Sequence, residues 1–360
     1  MIHLTYKDIA LISQKRPNQH VAPFPRPHLE AFESPLRTQM VMQHLNRIGL
    51  LGELTRVDAP KAKREDILLA HSPYLLDTVE LYGDLGSGHL GESAFASAEV
   101  YRAGLYAVGG ALRASKMVME ETSSHAYSLL RPPGHHASTS NPTGLCFFNN
   151  IAIAVKSAIE AGAERVSIID FDDHFGNGTA EIFYSNPRVQ YISIHEYDFE
   201  NYGTGHYSEI GYGEGIGTNI NIPLLDMSPD ISYEAAFDRV VVPAIENFRP
   251  DVIAVSAGYD SHWADPVGNM DIDSRTFWKI GRTVRDLVDL VSARGSFWVL
   301  EGGYNPLGLG FCVEASIRGL AGDACPPLPD QLDRIVHEML VTQNINILNR
   351  VYEMISPHWQ

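Results

Sequence analysis

Asp170-Phe171-Asp172-Asp173-His174 packs three carboxylates and an imidazole into five consecutive residues, directly after the β-branched run Arg165-Val166-Ser167-Ile168-Ile169. That run reads as a buried parallel strand, and Gly176-Asn177-Gly178 turns the chain towards a helix-like segment. Asp172 and His174 are two apart, so in extended backbone both side chains leave on the same face and can converge on one ion. Carboxylate oxygen and imidazole nitrogen suit Zn²⁺ or another divalent first-row metal without thiolates. The plainer alternative is a polar strand end that caps the next helix.

Three further stretches carry reactive groups. Arg131-Pro132-Pro133-Gly134-His135-His136 follows a strand-like run over 125–130, and its prolines and glycine stiffen a turn in which tandem histidines can act as an acid/base pair. The run Val252–Ser256 ends in Ala257-Gly258-Tyr259-Asp260-Ser261-His262-Trp263-Ala264-Asp265-Pro266, which offers Asp260 or Asp265 as a third metal ligand. The run Ser296–Leu300 ends in Glu301-Gly302-Gly303-Tyr304, placing a tyrosine hydroxyl where it can reach the same crevice. Surface histidines, an Asp-Pro turn and a Gly-Gly-Tyr loop are the ordinary readings of these pieces taken one at a time.

The elements that must position them alternate. Strand-like runs recur over 189–194 and 218–222, with helical patterns over 150–162, 232–246, 274–293 and 331–355. Strands alternating with helices predict a mostly parallel sheet covered on both faces, and such sheets hold ligands at the C-terminal ends of their strands. Residues 1–34, rich in Pro and His, read as a surface loop, after which Ser34 as N-cap and Pro35 at the first helical position start a helix that carries Arg37 on its first turn. Periodic segments follow over 36–50, 74–82 and 94–120, and the glycine-rich stretch 83–91 between the last two reads as the rim of a cleft. Leu145, Phe147 and Phe148 precede the helix at 150 and wall a pocket or pack in the core.

The chain has 360 residues, 44% of them hydrophobic, and no linker-like stretch, which fits one large α/β domain. With 27 basic against 44 acidic residues its net charge is −17, which argues against binding a phosphate backbone. Cys146, Cys312 and Cys325 have neither disulfide-framework nor C-x-x-C spacing. With no signal-peptide pattern and no long apolar run, the chain reads as cytoplasmic, without a membrane segment.

The four stretches, taken in chain order, resemble the signatures of the histone deacetylase superfamily, which includes acetylpolyamine amidohydrolases; Glu33–Arg37 and His71-Ser72-Pro73-Tyr74 extend the resemblance. The glutamate of Glu301-Gly302-Gly303-Tyr304 is similar to the class II and polyamine branches. The resemblance implies the arginase/deacetylase α/β fold, a single domain over 1–360 around one central, mostly parallel sheet with helices on both faces. It implies one Zn²⁺ held by Asp172, His174 and Asp265, with Asp260 structural. His135 and His136 become the catalytic histidines, hydrogen-bonded to Asp170 and Asn177 respectively, and Tyr304 polarises the substrate carbonyl. It further implies structural K⁺ or Na⁺ ions, one at Asp170 with carbonyls of Asp172 and His174 plus Ser193 and Ile194, another at Phe183, Asn186 and Val189. Three protein ligands leave zinc a position for water, whose pKa falls towards roughly 7, so a histidine base can launch it at an amide.

The sequence also departs from the family pattern. Phe175 replaces the second histidine of the usual His-His-Gly-Asn-Gly run, and Leu145, after Gly144, replaces a phenylalanine of the acyl-lysine tunnel; the opposite aromatic falls in 201–205, with Tyr202 the candidate. Ile272 matches the position where polyamine-selective relatives carry an acidic gatekeeper. The expected function is therefore a zinc-dependent hydrolase removing an acyl, most simply acetyl, group from acyl-lysine or a related acyl-amine. The alternatives are an acetylpolyamine amidohydrolase, an arginase-like dinuclear manganese hydrolase, for which Phe175-Gly176-Asn177 supplies no extra carboxylate, and a catalytically silent module on the same fold. Neither nucleic acid nor membrane is an expected partner, and homo-oligomerisation is left open.

Overall fold

The computed structural model describes residues 5–16, 18–25, 28–201 and 203–359. In chain order the strands are β1 (Ile9–Ser13), β2 (Thr55–Asp58), β3 (Ser87–Gly91), β4 (Ala94–Ser97), β5 (His125–Ser128), β6 (Val166–Asp170), β7 (Val189–Glu196), β8 (Asn219–Leu224), β9 (Val252–Ala257) and β10 (Ser296–Leu300). Eight of them form one sheet in the order β2-β1-β5-β10-β9-β6-β7-β8, and every neighbouring pair is parallel. The short runs predicted as strands are thus strands, and the central ones β6, β9 and β10 lack strict polar alternation because helices bury both faces, whereas β8 at the sheet edge alternates Asn219-Ile220-Asn221-Ile222. Alternate residues serve opposite cores: Ile9 and Leu11 join the cluster that contains Val41, Phe277 and Val313, whereas Ala10 and Ile12 join the one that contains Val108 and Ile151.

The helices Leu36–Arg47, Ser274–Val291 and Pro306–Ala321 cover the first face, and Val100–Met119 and Asn150–Glu160 the second. Several boundaries differ from expectation. The first 34 residues are not all loop: Ile9–Ser13 is a buried strand between β2 and β5, hidden from the sequence reading by its shortness and Pro-rich surroundings. Ala94–Ser97 does not open a helix but pairs antiparallel with Ser87–Gly91, so the glycine-rich stretch is a hairpin whose turn is Glu92-Ser93. The hydroxyl of Ser34 makes no capping bond to the helix that follows it. The pattern over 232–246 resolves into two short helices joined by a π-turn at Phe237–Val241, and the last helix begins at Glu338.

Four strands that are adjacent in the sheet, β5, β10, β9 and β6, are the four whose C-terminal ends carry the chemical stretches. Leu300 stands beside Ala257, and Asp170 beside Ser256, so loops distant in sequence leave the sheet side by side. The fold therefore gathers one site from residues 135 to 304.

Candidate active site

Just past the end of β6, Asp172 is buried and held by backbone: its Oδ2 accepts the Gly302 N–H at 2.8 Å, and its Oδ1 accepts the His174 N–H at 3.0 Å. His174 Nδ1 lies 3.2 Å from Asp172 Oδ1 and 3.3 Å from Asp260 Oδ2. Asp260 is buried; its Oδ1 accepts the Asp173 N–H at 2.9 Å, while its Oδ2 has the His174 ring facing it and no other hydrogen-bond partner among the described residues. Glycine at 302 is what permits this crowding, because a Cβ there would sit 2.0 Å from Asp260 Oδ2.

Asp172, His174 and Asp260 are therefore the residues that converge, with donor atoms within 4.8 Å of one another. The expectation that Asp265 would complete this set, leaving Asp260 structural, is reversed by the geometry. Asp265 instead anchors backbone, since its Oδ2 accepts the N–H groups of Tyr304 at 2.6 Å and Asn305 at 3.0 Å, and its Oδ1 accepts that of Val267 at 3.0 Å. Asp260 lies three residues beyond β9, the neighbour of β6, and its Oδ1 holds the Asp173 N–H, whereas Asp265 lies five residues further along the loop.

The three converging groups fit a divalent cation. Burial and the nearby Asp172 charge raise the Asp260 carboxyl above its ordinary range, which is the repulsion a dication between them would relieve. His174 is raised well above an ordinary imidazole, because both carboxylates outweigh its burial. Two hard oxygens and one imidazole nitrogen suit zinc, and three protein ligands leave it an open position.

The tandem histidines stand beside this group with ring centroids 4.1 Å apart. His135 Nδ1 faces Asp170 Oδ2 at 3.1 Å, and Asp170 also accepts the Tyr191 hydroxyl at 2.9 Å. His136 Nδ1 donates to Asn177 Oδ1 at 2.7 Å, which leaves its Nε2 as the acceptor when the ring is neutral. The two rings are driven apart electrostatically. Burial lowers His135, but the charges of Asp172 and Asp170 outweigh it and raise the group to about 10. Burial, with the neighbouring His135 and His174, lowers His136 to about 3.

The turn itself is pinned from β10. Glu301 Oε2 accepts the N–H groups of Gly134 at 2.6 Å and His135 at 3.1 Å, and burial raises this carboxyl to about 7. Arg37, fully buried, donates to the carbonyls of Glu301 and Gly303 and lies over the Tyr304 ring, 4.6 Å from its centroid. Sequence reasoning placed Arg37 on a helix and Glu301 in a motif, but it could not see that both hold the backbone of the site.

His136, His174, Asn177 and Tyr304 open onto a cavity of about 280 Å³, whose apolar walls are Leu29, Leu145 and Val267. Gly144 and Leu145 adopt φ values of +53° and +67°, and a Cβ at 144 would meet His136 Cδ2 at 2.4 Å, so glycine is what lets this turn lie against the histidine. Glu92 and Ser93, the hairpin turn, also line the cavity and hold the Gly144 and Leu145 N–H groups at 2.9 Å each. Ile272 does not reach it; that side chain is buried in the sheet core, and Val267 is the wall residue on the segment after Asp265. Tyr202 lies outside the described residues.

Phe175 packs against the His195 ring at 4.9 Å, and His195 in turn bonds Ser193 Oγ at 2.8 Å and the Gly205 carbonyl at 2.9 Å. Ser193 and Asp170 are register partners, with Ile194 buried beside them. Phe183, Asn186 and Val189 lie on the turn into β7, where the Phe183 and Asn186 carbonyls accept N–H bonds at 2.9 and 3.3 Å from Asn186 and Val189.

The family model described as the histone deacetylase domain matches residues 31–320, and the chain belongs to that family. It is 36% identical over 291 residues to the histone deacetylase-like amidohydrolase of Pseudomonas aeruginosa, a span covering 81% of this chain and 77% of that one. It is also 36% identical over 245 residues to a probable deacetylase of Archaeoglobus fulgidus, covering 68% of each. Its fold superposes on the crystal structure of the HDA15 HD domain with a TM-score of 0.87 at 28% identity, over 98% of this chain and 96% of that one. The sheet and its helices are accordingly those of the arginase/deacetylase fold, and the chain is a hydrolase of the deacetylase and amidohydrolase kind. Among the described residues no helix is long and apolar enough to cross a membrane.

Proposed function

We propose that residues 1–360 act as one zinc-dependent amide hydrolase that removes an acyl group, most simply acetyl, from acyl-lysine or a related acyl-amine in a reducing, cytoplasmic setting. The observation that carries this reading is the convergence of Asp172, His174 and Asp260 beside paired histidines of opposite charge preference, with His174 and His136 open to the cavity. Zinc held by those three would supply Lewis acidity to a water and to the amide carbonyl. His136, neutral and with Nδ1–H committed to Asn177, takes the water's proton at Nε2. The Tyr304 hydroxyl donates to the oxyanion as the carbonyl becomes tetrahedral. His135, charged and anchored by Asp170, is the proton source for the leaving amine. With Asp172 neutralised by a cation, part of the charge that holds the His135 proton is withdrawn, which eases that delivery.

A second reading within the same chemistry is an acetylpolyamine amidohydrolase. It is supported by Glu92 on the cavity wall, which among the described residues carries no lysine or arginine, since a carboxylate there suits a distal ammonium. Acetyl-lysine peptides, longer acyl-lysines and acetylpolyamines assayed with the zinc-loaded protein, alongside Tyr304→Phe, test both. The expected result is turnover of acyl-lysines and a fall in kcat of about 10² to 10³ for Tyr304→Phe. No hydrolysis of any member would overturn the enzyme reading, and a preference for acetylpolyamines above about tenfold in kcat/KM would move the assignment to the second.

A further inference from the structure

Behind the proposed zinc ligands, a second set of donors meets. Among the described residues, His135, Cys146 and Glu301 are the other trio whose ligand atoms lie within 4.8 Å of one another, and all three are buried. Each is brought by a different loop: the turn after β5, the Gly144-Leu145-Cys146 turn and the end of β10. Cys146 is a free thiol whose Sγ contacts the Gly144 carbonyl at 3.3 Å. Glu301 commits Oε2 to two backbone N–H groups but Oε1 only to a 3.5 Å contact with Ser256 Oγ. Glu301 therefore keeps one weakly engaged carboxylate oxygen, and the Cys146 sulfur can turn to an ion beside the imidazole once its S–H gives up the Gly144 carbonyl.

We propose that His135, Cys146 and Glu301 form a second, inhibitory metal site selective for thiophilic divalent ions such as Cd²⁺ or excess Zn²⁺. Thiolate, imidazole and carboxylate together match the donor preferences of those ions, whereas the first set, with two carboxylates and no sulfur, does not favour soft ones. The charge also balances: thiolate and carboxylate neutralise a dication, and the thiol and carboxyl protons leave to solvent together with the extra proton of His135, which frees a ring nitrogen for the ion. Occupancy takes His135 out of proton transfer, so the second ion inhibits without displacing the first. This regulation rests on the deacetylase reading only for its kinetic consequence; the binding itself does not.

The two are separated by a test with a spectroscopic arm. The full-length protein carrying one equivalent of Zn²⁺ is titrated with Cd²⁺ while the sulfur-to-metal charge-transfer absorption and the metal content are followed. The proposal expects a second equivalent to bind with that band present in wild type and in Cys325→Ser, and absent in Cys146→Ser. It expects kcat to fall by about 10²-fold or more in wild type and to persist in Cys146→Ser at the same Cd²⁺ concentration. Cadmium X-ray absorption on the wild-type protein, which needs no variant, should show one sulfur neighbour. A second equivalent without sulfur, a band that survives Cys146→Ser, or no second equivalent would overturn the site. A sulfur-bound ion in a protein that hydrolyses no acyl-amine would leave the site standing and remove only the deacetylase reading.

Discussion

The Asp265 carboxylate accepts the Tyr304 backbone N–H at 2.6 Å, so the loop that follows β9 holds the residue that closes the cavity. Asp260, five residues earlier on that loop, turns the other way and joins Asp172 and His174.

These separate duties predict separable phenotypes. Asp260→Asn should lower stoichiometric zinc content and abolish turnover. Asp265→Asn should keep its zinc while losing the anchor of Tyr304, with kcat down by about 10² as the oxyanion donor wanders. Metal analysis beside steady-state kinetics distinguishes them; zinc lost from Asp265→Asn and retained in Asp260→Asn would restore the expectation read from the sequence.

That exchange marks where sequence reasoning stops. The parallel sheet and its site-bearing loops were legible because buried strands leave uninterrupted apolar runs, and because Asp172 and His174 share a face by spacing alone. Asp260 and Asp265 lie on one irregular loop, where no periodicity says which side chain turns inward. The same limit explains Ile272, whose place beside Asp271 gave no hint that the core would take it while Val267 faced the cavity. Strand Ile9–Ser13 escaped because five residues between polar, Pro-rich stretches carry too little pattern, and the ties from Arg37 to 301 and 303 bridge separations that no local rule reaches.

A buried ion pair supports the tandem-histidine turn. Arg131, at its start, donates through Nε to Glu33 Oε1 at 2.6 Å, and a second of its nitrogens bonds Glu33 Oε2. Burial alone would raise the Glu33 carboxyl, yet Arg131 and Arg37 hold it below its ordinary value. Glu33→Ala leaves two buried guanidinium groups undercompensated and should cost about 3 to 5 kcal/mol. Urea denaturation measures this, and a loss under about 1 kcal/mol would mean that water or a neighbouring group replaces the carboxylate.

Stability should fall in mild acid. Burial lowers His20, His71, His125 and His195 to about 4, against roughly 6.5 when unfolded. Between those values the unfolded chain binds more protons, so this stability is fully present above about pH 6.5 and is lost as pH drops towards 4. Each histidine contributes a loss of about 1.4 kcal/mol on going from about pH 7.5 to about 5.5. His125, whose Nε2 is buried without a partner among the described residues, is the cleanest case: His125→Asn should remove one such share from the pH dependence of urea denaturation. An unchanged slope would show that its ring reaches water in the native state.

Substrate choice can be tested on the wall itself. Val267 lines the cavity and is half-buried, so Val267→Glu places a carboxylate near the mouth without a large core penalty. Ile272 is wholly inside the sheet core, where Ile272→Glu buries an unpaired charge. For Val267→Glu, kcat/KM for acetylputrescine relative to a neutral acetyl-lysine peptide should rise about fivefold, the worth of an ion pair near 1 kcal/mol. The effect should shrink at high salt, because the pair is open to solvent. Ile272→Glu should instead lose folded protein, seen as a collapse of the thermal transition. If Ile272→Glu folded and shifted the selectivity while Val267→Glu left it unchanged, the cavity wall would have to be redrawn around residue 272.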